Sequence, residues 1–289
     1  MSTLWHITEA LANQRKGNFT GTKKLILDAF CGNKQEIVYF EFGAADFISS
    51  INTIVNTPGA GGLRIVYASF AKPTDGSMAL PPELDPEIER KMTLLLAPTQ
   101  PLTGTILNGS APIIWQNIHY INVSKTAGGD LVSNFQSIAV TPDNMVRLQR
   151  WMNYYQLIKL PALEAPGLSV GFNETKSLWY TKETFIATGP DEGILEFLLS
   201  NPGYDKVRIS LSAQNGFGND PFPNQMDLVF ELIDETNGTI VYTGLHFHDV
   251  ISTVLSDANM SRISKNNALV TLVRTFGDTG IPCPPLVCS

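Results

Sequence analysis

Two stretches of the chain align with each other, and this restricts the fold more than any other feature. Ile51-Asn-Thr-Ile-Val-Asn-Thr-Pro-Gly59, with Leu63-Arg64-Ile65 after it, matches Leu195-Glu-Phe-Leu-Leu-Ser-Asn-Pro-Gly203 and Val207-Arg208-Ile209 at a constant offset of 144 residues. Met92-Thr-Leu-Leu-Leu and Gly104-Thr-Ile-Leu107 match Met226-Asp-Leu-Val-Phe and Gly238-Thr-Ile-Val241 at an offset of 134. The offsets differ through a single connection, residues 71–91 in the first half and 215–225 in the second. A strand has a side-chain period of two, so a false alignment would exchange inside for outside. Here parity is kept: Leu63, Ile65 and Tyr67 fall on Val207, Ile209 and Leu211, and Met92, Leu94 and Leu96 fall on Met226, Leu228 and Phe230. The pattern predicts a tandem duplication.

Each unit reads as helix, strand, helix, strand, strand. The first helix is expected from Leu4 to about Gln14, and its counterpart from about Asp143 to Ile158, with Thr141 as N-cap and Pro142 in the first turn. Strands are expected over Glu36–Phe42 and Ser177–Ile186. Helices entered near Asp46 and Asp191 should stop at Thr57-Pro58-Gly59 and Asn201-Pro202-Gly203, since proline cannot continue a helix and glycine can turn left-handed. Two hairpin-like strands follow in each unit. Strands at Ile113–Val123 and Leu131–Val140 extend the first unit; a helix near Asp249–Arg262 and a strand at Ala268–Phe276 extend the second. The fold class is therefore α+β: two tandem copies of the unit, with mainly antiparallel sheets and a pseudo-two-fold, over residues 1–125 and 126–289.

Composition narrows the function. Of 289 residues, 43% are hydrophobic, enough for a packed core, and only 16% are charged. The net charge of −7 and the short basic pairs Lys23-Lys24 and Arg90-Lys91 argue against nucleic acid as a partner. No apolar run is long enough to insert in a membrane. The first residues lack a basic stretch followed by an apolar one, so the expected location is cytoplasmic, with leaderless export as the alternative. A weakly charged polar surface suits packing against protein, because few charges need desolvating, and so points to a protein partner or self-association.

Catalytic signatures are lacking: there is no Gly-x-Ser-x-Gly elbow and no His-Glu-x-x-His. Gly59-Ala-Gly-Gly62 runs from helix into strand, the reverse of a phosphate-binding loop, and reads as a turn. His246 and His248 would share one strand face, and Cys283 and Cys288 could complete a zinc shell, although the spacing fits no standard finger. The two cysteines could equally form a small disulfide loop or remain free thiols. Cys31 reads as a small buried residue. Arg64 and Arg208 occupy matching strand positions and are interaction candidates, either as structural ion pairs or as marks of a symmetric ligand groove. Leu148, Trp151, Tyr154, Tyr155 and Ile158 form a helical stripe typical of a core or interface.

The unit with its Asn/Thr-Pro-Gly helix stop and Arg-Ile strand, together with the tail Cys283-Pro-Pro-Leu-Val-Cys288-Ser289, resembles a group of small uncharacterised bacterial α+β proteins that carry one such unit and end in a Cys-Pro-Pro tail. Here the unit is doubled. That resemblance implies the fold and no activity. The function expected is a non-enzymatic interaction or assembly module, with segment 71–91 and the C-terminal tail as recognition elements. The alternative is a small-ligand or metal-binding protein, or a hydrolase, with its site between the copies or at His246 and His248.

Overall fold

The computed structural model describes residues 7–32, 34–71, 86–101, 112–125, 131–164, 176–186, 193–214, 225–243 and 279–283. Its helices are α1 (Glu9–Asn18), α2 (Lys24–Asp28), α3 (Ala44–Val55), α4 (Pro142–Tyr154), α5 (Leu160–Leu163), α6 (Lys182–Phe185) and α7 (Ile194–Ser200). Its strands are β1 (Tyr39–Gly43), β2 (Gly62–Ser69), β3 (Met92–Thr99), β4 (Ile118–Lys125), β5 (Leu131–Ile138), β6 (Ser177–Thr181), β7 (Lys206–Ala213), β8 (Met226–Asp234), β9 (Thr239–Thr243) and β10 (Thr279–Cys283). They form a four-stranded sheet, β1-β7-β8-β9, and a six-stranded sheet, β10-β6-β2-β3-β4-β5. Every ladder among the described residues is antiparallel, consistent with an α+β fold.

The hairpins β2–β3 and β7–β8 share one register. Leu63 faces Pro98 and Ile65 faces Leu96; at the matching positions Val207 faces Leu232 and Ile209 faces Phe230. Of the two strands that flank each hairpin, one comes from the other half of the chain. β1 pairs with β7, placing Phe40 opposite Ile209 and Phe42 opposite Val207. β6 pairs with β2, placing Leu178 opposite Ile65 and Tyr180 opposite Leu63. The flanking hydrogen bonds correspond too. Tyr67 N donates to Lys176 O (3.0 Å) and Lys182 N to Gly61 O (3.1 Å); Leu211 N donates to Val38 O (2.9 Å) and Ala44 N to Asp205 O (2.7 Å).

The helices before these strands cross over as well. α1 and the π-helical turn Phe19–Lys23 lie on β7; α4 and the π-helical turn Tyr155–Lys159 lie on β2. Each sheet therefore draws strands from both sides of residue 125, and the expected boundary at 125/126 falls in the β4–β5 connection of the six-stranded sheet.

Local chemistry explains the ends of elements. Thr8 caps α1 through Leu11 N, and Thr141 caps α4 through Asn144 N with Pro142 in the first turn. The first helix starts at Glu9, later than the expected Leu4, because the cap is Thr8; it then continues through the π turn to Asp28. β1 begins at Tyr39 instead of Glu36, whose side chain is engaged in a buried network. The strand expected to reach Ile186 stops at Thr181, whose hydroxyl accepts from Thr184 N and starts α6. Gly59 holds φ at +81°, the left-handed turn expected after α3. At Gly62 a Cβ would lie 2.5 Å from Tyr180 O and 2.8 Å from the Trp179 ring, so the crossing of β6 against β2 requires glycine. Asp191, the helix expected near 249–262 and the strand near 268–276 lie outside the described residues.

The core sits between the sheets. Tyr180, opposite Leu63, meets Phe230, opposite Ile209, at 6.0 Å between ring centroids. Phe47 of α3 stands between Phe135 of β5 and Phe230 of β8, and Phe42 stacks on Phe135 at 4.2 Å. Burying such aromatic area is the dominant stabilising term.

A consequence can be measured with fragments 1–128 and 129–289. When the halves are separated each hairpin keeps β4 or β9 but loses the strand on its other edge and its covering helix. Neither fragment alone should show a cooperative thermal transition, whereas the mixture should regain one. A cooperative melt of an isolated fragment would contradict the crossed arrangement.

Candidate functional site

The outer helical run 142–163 carries Leu148, Trp151 and Tyr155 of its apolar stripe inward, whereas Tyr154 and Ile158 of that stripe line an open cleft. Trp151 meets Phe70 at 5.1 Å and Tyr120 at 5.2 Å, and Tyr155 meets Tyr67 at 5.7 Å. Eight residues after Trp151 the same stripe reaches Lys159, which is fully buried. Its Nζ donates to Glu36 Oε2 at 2.7 Å and to the Arg90 carbonyl. Glu36 is buried as well. Its Oε1 accepts from Ile37 N (2.9 Å) and Met92 N (2.7 Å), and its Oε2 accepts from Cys31 Sγ (3.4 Å). Ser69 Oγ donates to Arg90 O at 2.7 Å. Arg90 itself has φ of +66°, which turns its carbonyl toward these donors.

A buried ion pair is costly to desolvate and persists only when its remaining polar atoms are satisfied. Here four donors converge on one carboxylate. The network ties the first helical run, the approach to β1, the second helical run and the base of segment 71–91 to one point.

Above this network lies an open cleft of about 1010 Å³. Ala71 and Arg90, at the roots of segment 71–91, form one wall together with Phe30. The outward face of α4 and its π turn forms the other, through Val146, Arg150, Leu157 and Ile158 among others. Val146 is 43% exposed, Leu157 69% and Ile158 46%, so this face presents apolar side chains to solvent.

The chemistry beneath the cleft is quiet. Burial, reinforced by the Glu36 charge, pushes the Cys31 thiol up to about 12. It is a buried thiol, as its sequence context suggested, and stays protonated at neutral pH. His119, also buried, is held below its ordinary range by desolvation against a raising hydrogen bond to Asn117 O.

The two matching arginines lie on different sheets. Arg208 pairs with Glu41 at 2.7 and 3.1 Å, approaches Glu231 at 3.9 Å and covers the Tyr39 ring at 4.5 Å, which makes it a structural ion pair. Arg64 is buried, its Nε has no hydrogen-bond partner and no ion pair forms at it among the described residues. His246, His248 and Cys288 lie outside the described residues, and of Cys283 only the backbone is described, paired opposite Ser177. Among the described residues no group of three or more His, Cys, Asp or Glu is placed to hold a metal. None of their helices is long and apolar enough to cross a membrane.

Sequence reasoning missed Glu36, Lys159 and the turn at Arg90. For Lys159 a signal existed: a lysine on the stripe of Leu148, Trp151 and Tyr155 is committed to the interior and needs a counter-charge there. No family model, curated protein or solved structure matches the chain.

The thiol gives a pH dependence. Between pH 9, where an exposed thiol ionises, and about 12, the unfolded chain gives up this proton and the folded chain keeps it. The stabilising contribution is present below pH 9 and falls as pH rises through that window. Wild type should therefore lose more unfolding free energy than Cys31→Ala between neutral pH and about pH 10.5. Equal losses would show that Cys31 is not held in this way.

Proposed function

We propose that the protein is a non-enzymatic assembly module, built as a fused tandem duplicate whose two units exchange their first helix and strand. The corresponding offsets and registers of the two hairpins and of the two crossing strands support the duplication. The observation that carries the assembly reading is the apolar face of Val146, Leu157 and Ile158 beside the cleft. Charged residues are few, so a surface of this kind loses little hydration when covered.

The occupant proposed is a second copy of the chain. Arg90 and Arg150, which line the cleft, already have interactions within the chain, so the contact rests on the apolar side chains. A two-fold contact also lets each copy contribute the same apolar face. Binding rather than catalysis fits the groups beneath: Lys159 and Glu36 have fully buried side chains and neutralise one another, out of reach of a substrate in the cleft.

Multi-angle light scattering over the micromolar range tests this reading. Wild type should show a dimer that dissociates on dilution. Burying a leucine contributes about 1.5–3 kcal/mol, so Leu157→Asp should weaken association at least about tenfold with an unchanged far-ultraviolet circular dichroism spectrum. A wild-type monomer at every concentration would overturn it.

A further inference from the structure

The outer faces of the two sheets are built on one frame with opposite chemistry. On the four-stranded sheet the layer beneath α1 is ionic. Arg15 pairs with Asp227 (2.8 Å), Lys16 with Glu231 (2.6 Å), Ser210 donates to Glu231 (2.7 Å), and Arg208 pairs with Glu41. On the six-stranded sheet the matching strand positions hold Thr93 for Asp227, Ala97 for Glu231, Val66 for Ser210 and Trp179 for Glu41. Every acid has gone, and the layer is largely apolar. One charge remains: Arg64, at the place of Arg208.

Strand register places Arg64 directly between Trp179 and Ala97, as it places Arg208 between Glu41 and Glu231. Arg64 is 6% exposed, and its Nε is buried without a hydrogen-bond partner. The Trp179 indole N–H is directed elsewhere, to Thr99 Oγ1 at 2.7 Å. Burial alone, with no compensating acid, lowers the Arg64 guanidinium to about 10. An uncompensated buried cation is among the most expensive features a fold can hold.

This face of the strands is the one nearer solvent. Val66, Ala97 and Trp179 keep 3–6% exposure, whereas Leu63, Ile65, Leu94 and Leu96, on the opposite face of the same strands, have none. Ala97 also omits the atoms that Glu231 carries beyond Cβ: one methylene and one carboxylate, the size of an acetate ion.

We propose that Arg64 is the anion-binding group of a small-carboxylate site on the outer face of the six-stranded sheet, bounded by Ala97 and Trp179. The ligand's carboxylate takes the place that Glu41 and Glu231 hold around Arg208, accepting from the guanidinium as those side chains do. The site is independent of the cleft and of self-association.

Acetate is the probe, compared with chloride at equal ionic strength by thermal denaturation. Saturating acetate should raise the wild-type Tm by about 2–4 °C over chloride. Arg64→Met should show no acetate-specific rise and should melt no lower than wild type in chloride, since it replaces an unpaired charge with an apolar chain of similar length. If that variant does not fold, the wild-type protein decides alone. Its Arg64 Nε–H resonance should shift saturably on titration with acetate. No acetate-specific rise in wild type, an equal rise in Arg64→Met, or an unmoved Nε–H resonance would overturn the site. A rise with inorganic phosphate and none with acetate would overturn the carboxylate assignment.

Discussion

Cross-pairing of β1 onto β7 and of β6 onto β2 is the contact on which the remaining structure depends. Each hairpin keeps one neighbour from its own half, β4 beside β3 and β9 beside β8, but its other edge and its outer face are left uncovered. The strand on that edge and the covering helix arrive from the opposite half of the chain. Folding therefore couples the halves: stabilising one hairpin requires the arm of the other. The core follows from this, because the crossed strands bring Phe42 and Tyr180 to the inner faces, where they meet Phe135 and Phe230.

The two arms are docked by different physics. α1 is held on its sheet by ion pairs, Arg15 to Asp227 and Lys16 to Glu231, whereas α4 is held by the rings of Trp151 and Tyr155 against Phe70 and Tyr67. The two arms share a shape while one buried layer is charged and the other aromatic, and either kind of layer can be stable when its groups are matched. Arg64 is the charged residue that breaks the apolar layer of the six-stranded sheet. The Lys159–Glu36 pair is different: it sits at the junction of the helical runs, and its satisfied lone pairs make it a fastening for the turn at Arg90.

Much of the secondary structure could be read from the sequence. Parity and constant offsets placed residues 63–67, 92–96, 207–211 and 226–230 in strands and fixed which side chains share a face, because period-two patterns fix the face of a strand. Thr141-Pro142 and Thr57-Pro58-Gly59 marked helix ends through local backbone chemistry. Partner choice was not legible. β1 and β6 show the same alternation whichever hairpin they join, and nothing in Tyr39–Gly43 distinguishes β2 from β7 as a neighbour. The same limit obscured the fate of the matching arginines: Arg64 and Arg208 look alike in sequence, and their cross-strand neighbours separate them, Trp179 and Ala97 beside one and Glu41 and Glu231 beside the other. The cleft was hidden for a related reason, since Phe30, Ala71 and Arg90 are distant in sequence from the facing wall of α4 and its π turn and meet it only after the helical run has crossed over.

Native-state amide hydrogen exchange tests the coupling of the halves most directly. If each hairpin depends on the crossed arm, the amides of β1 and β6 exchange only through the opening that also exposes β2 and β7, with one common free energy and one common denaturant dependence. Exchange of β1 or β6 through a separate, lower-energy opening that leaves β2–β3 and β7–β8 protected would contradict the account.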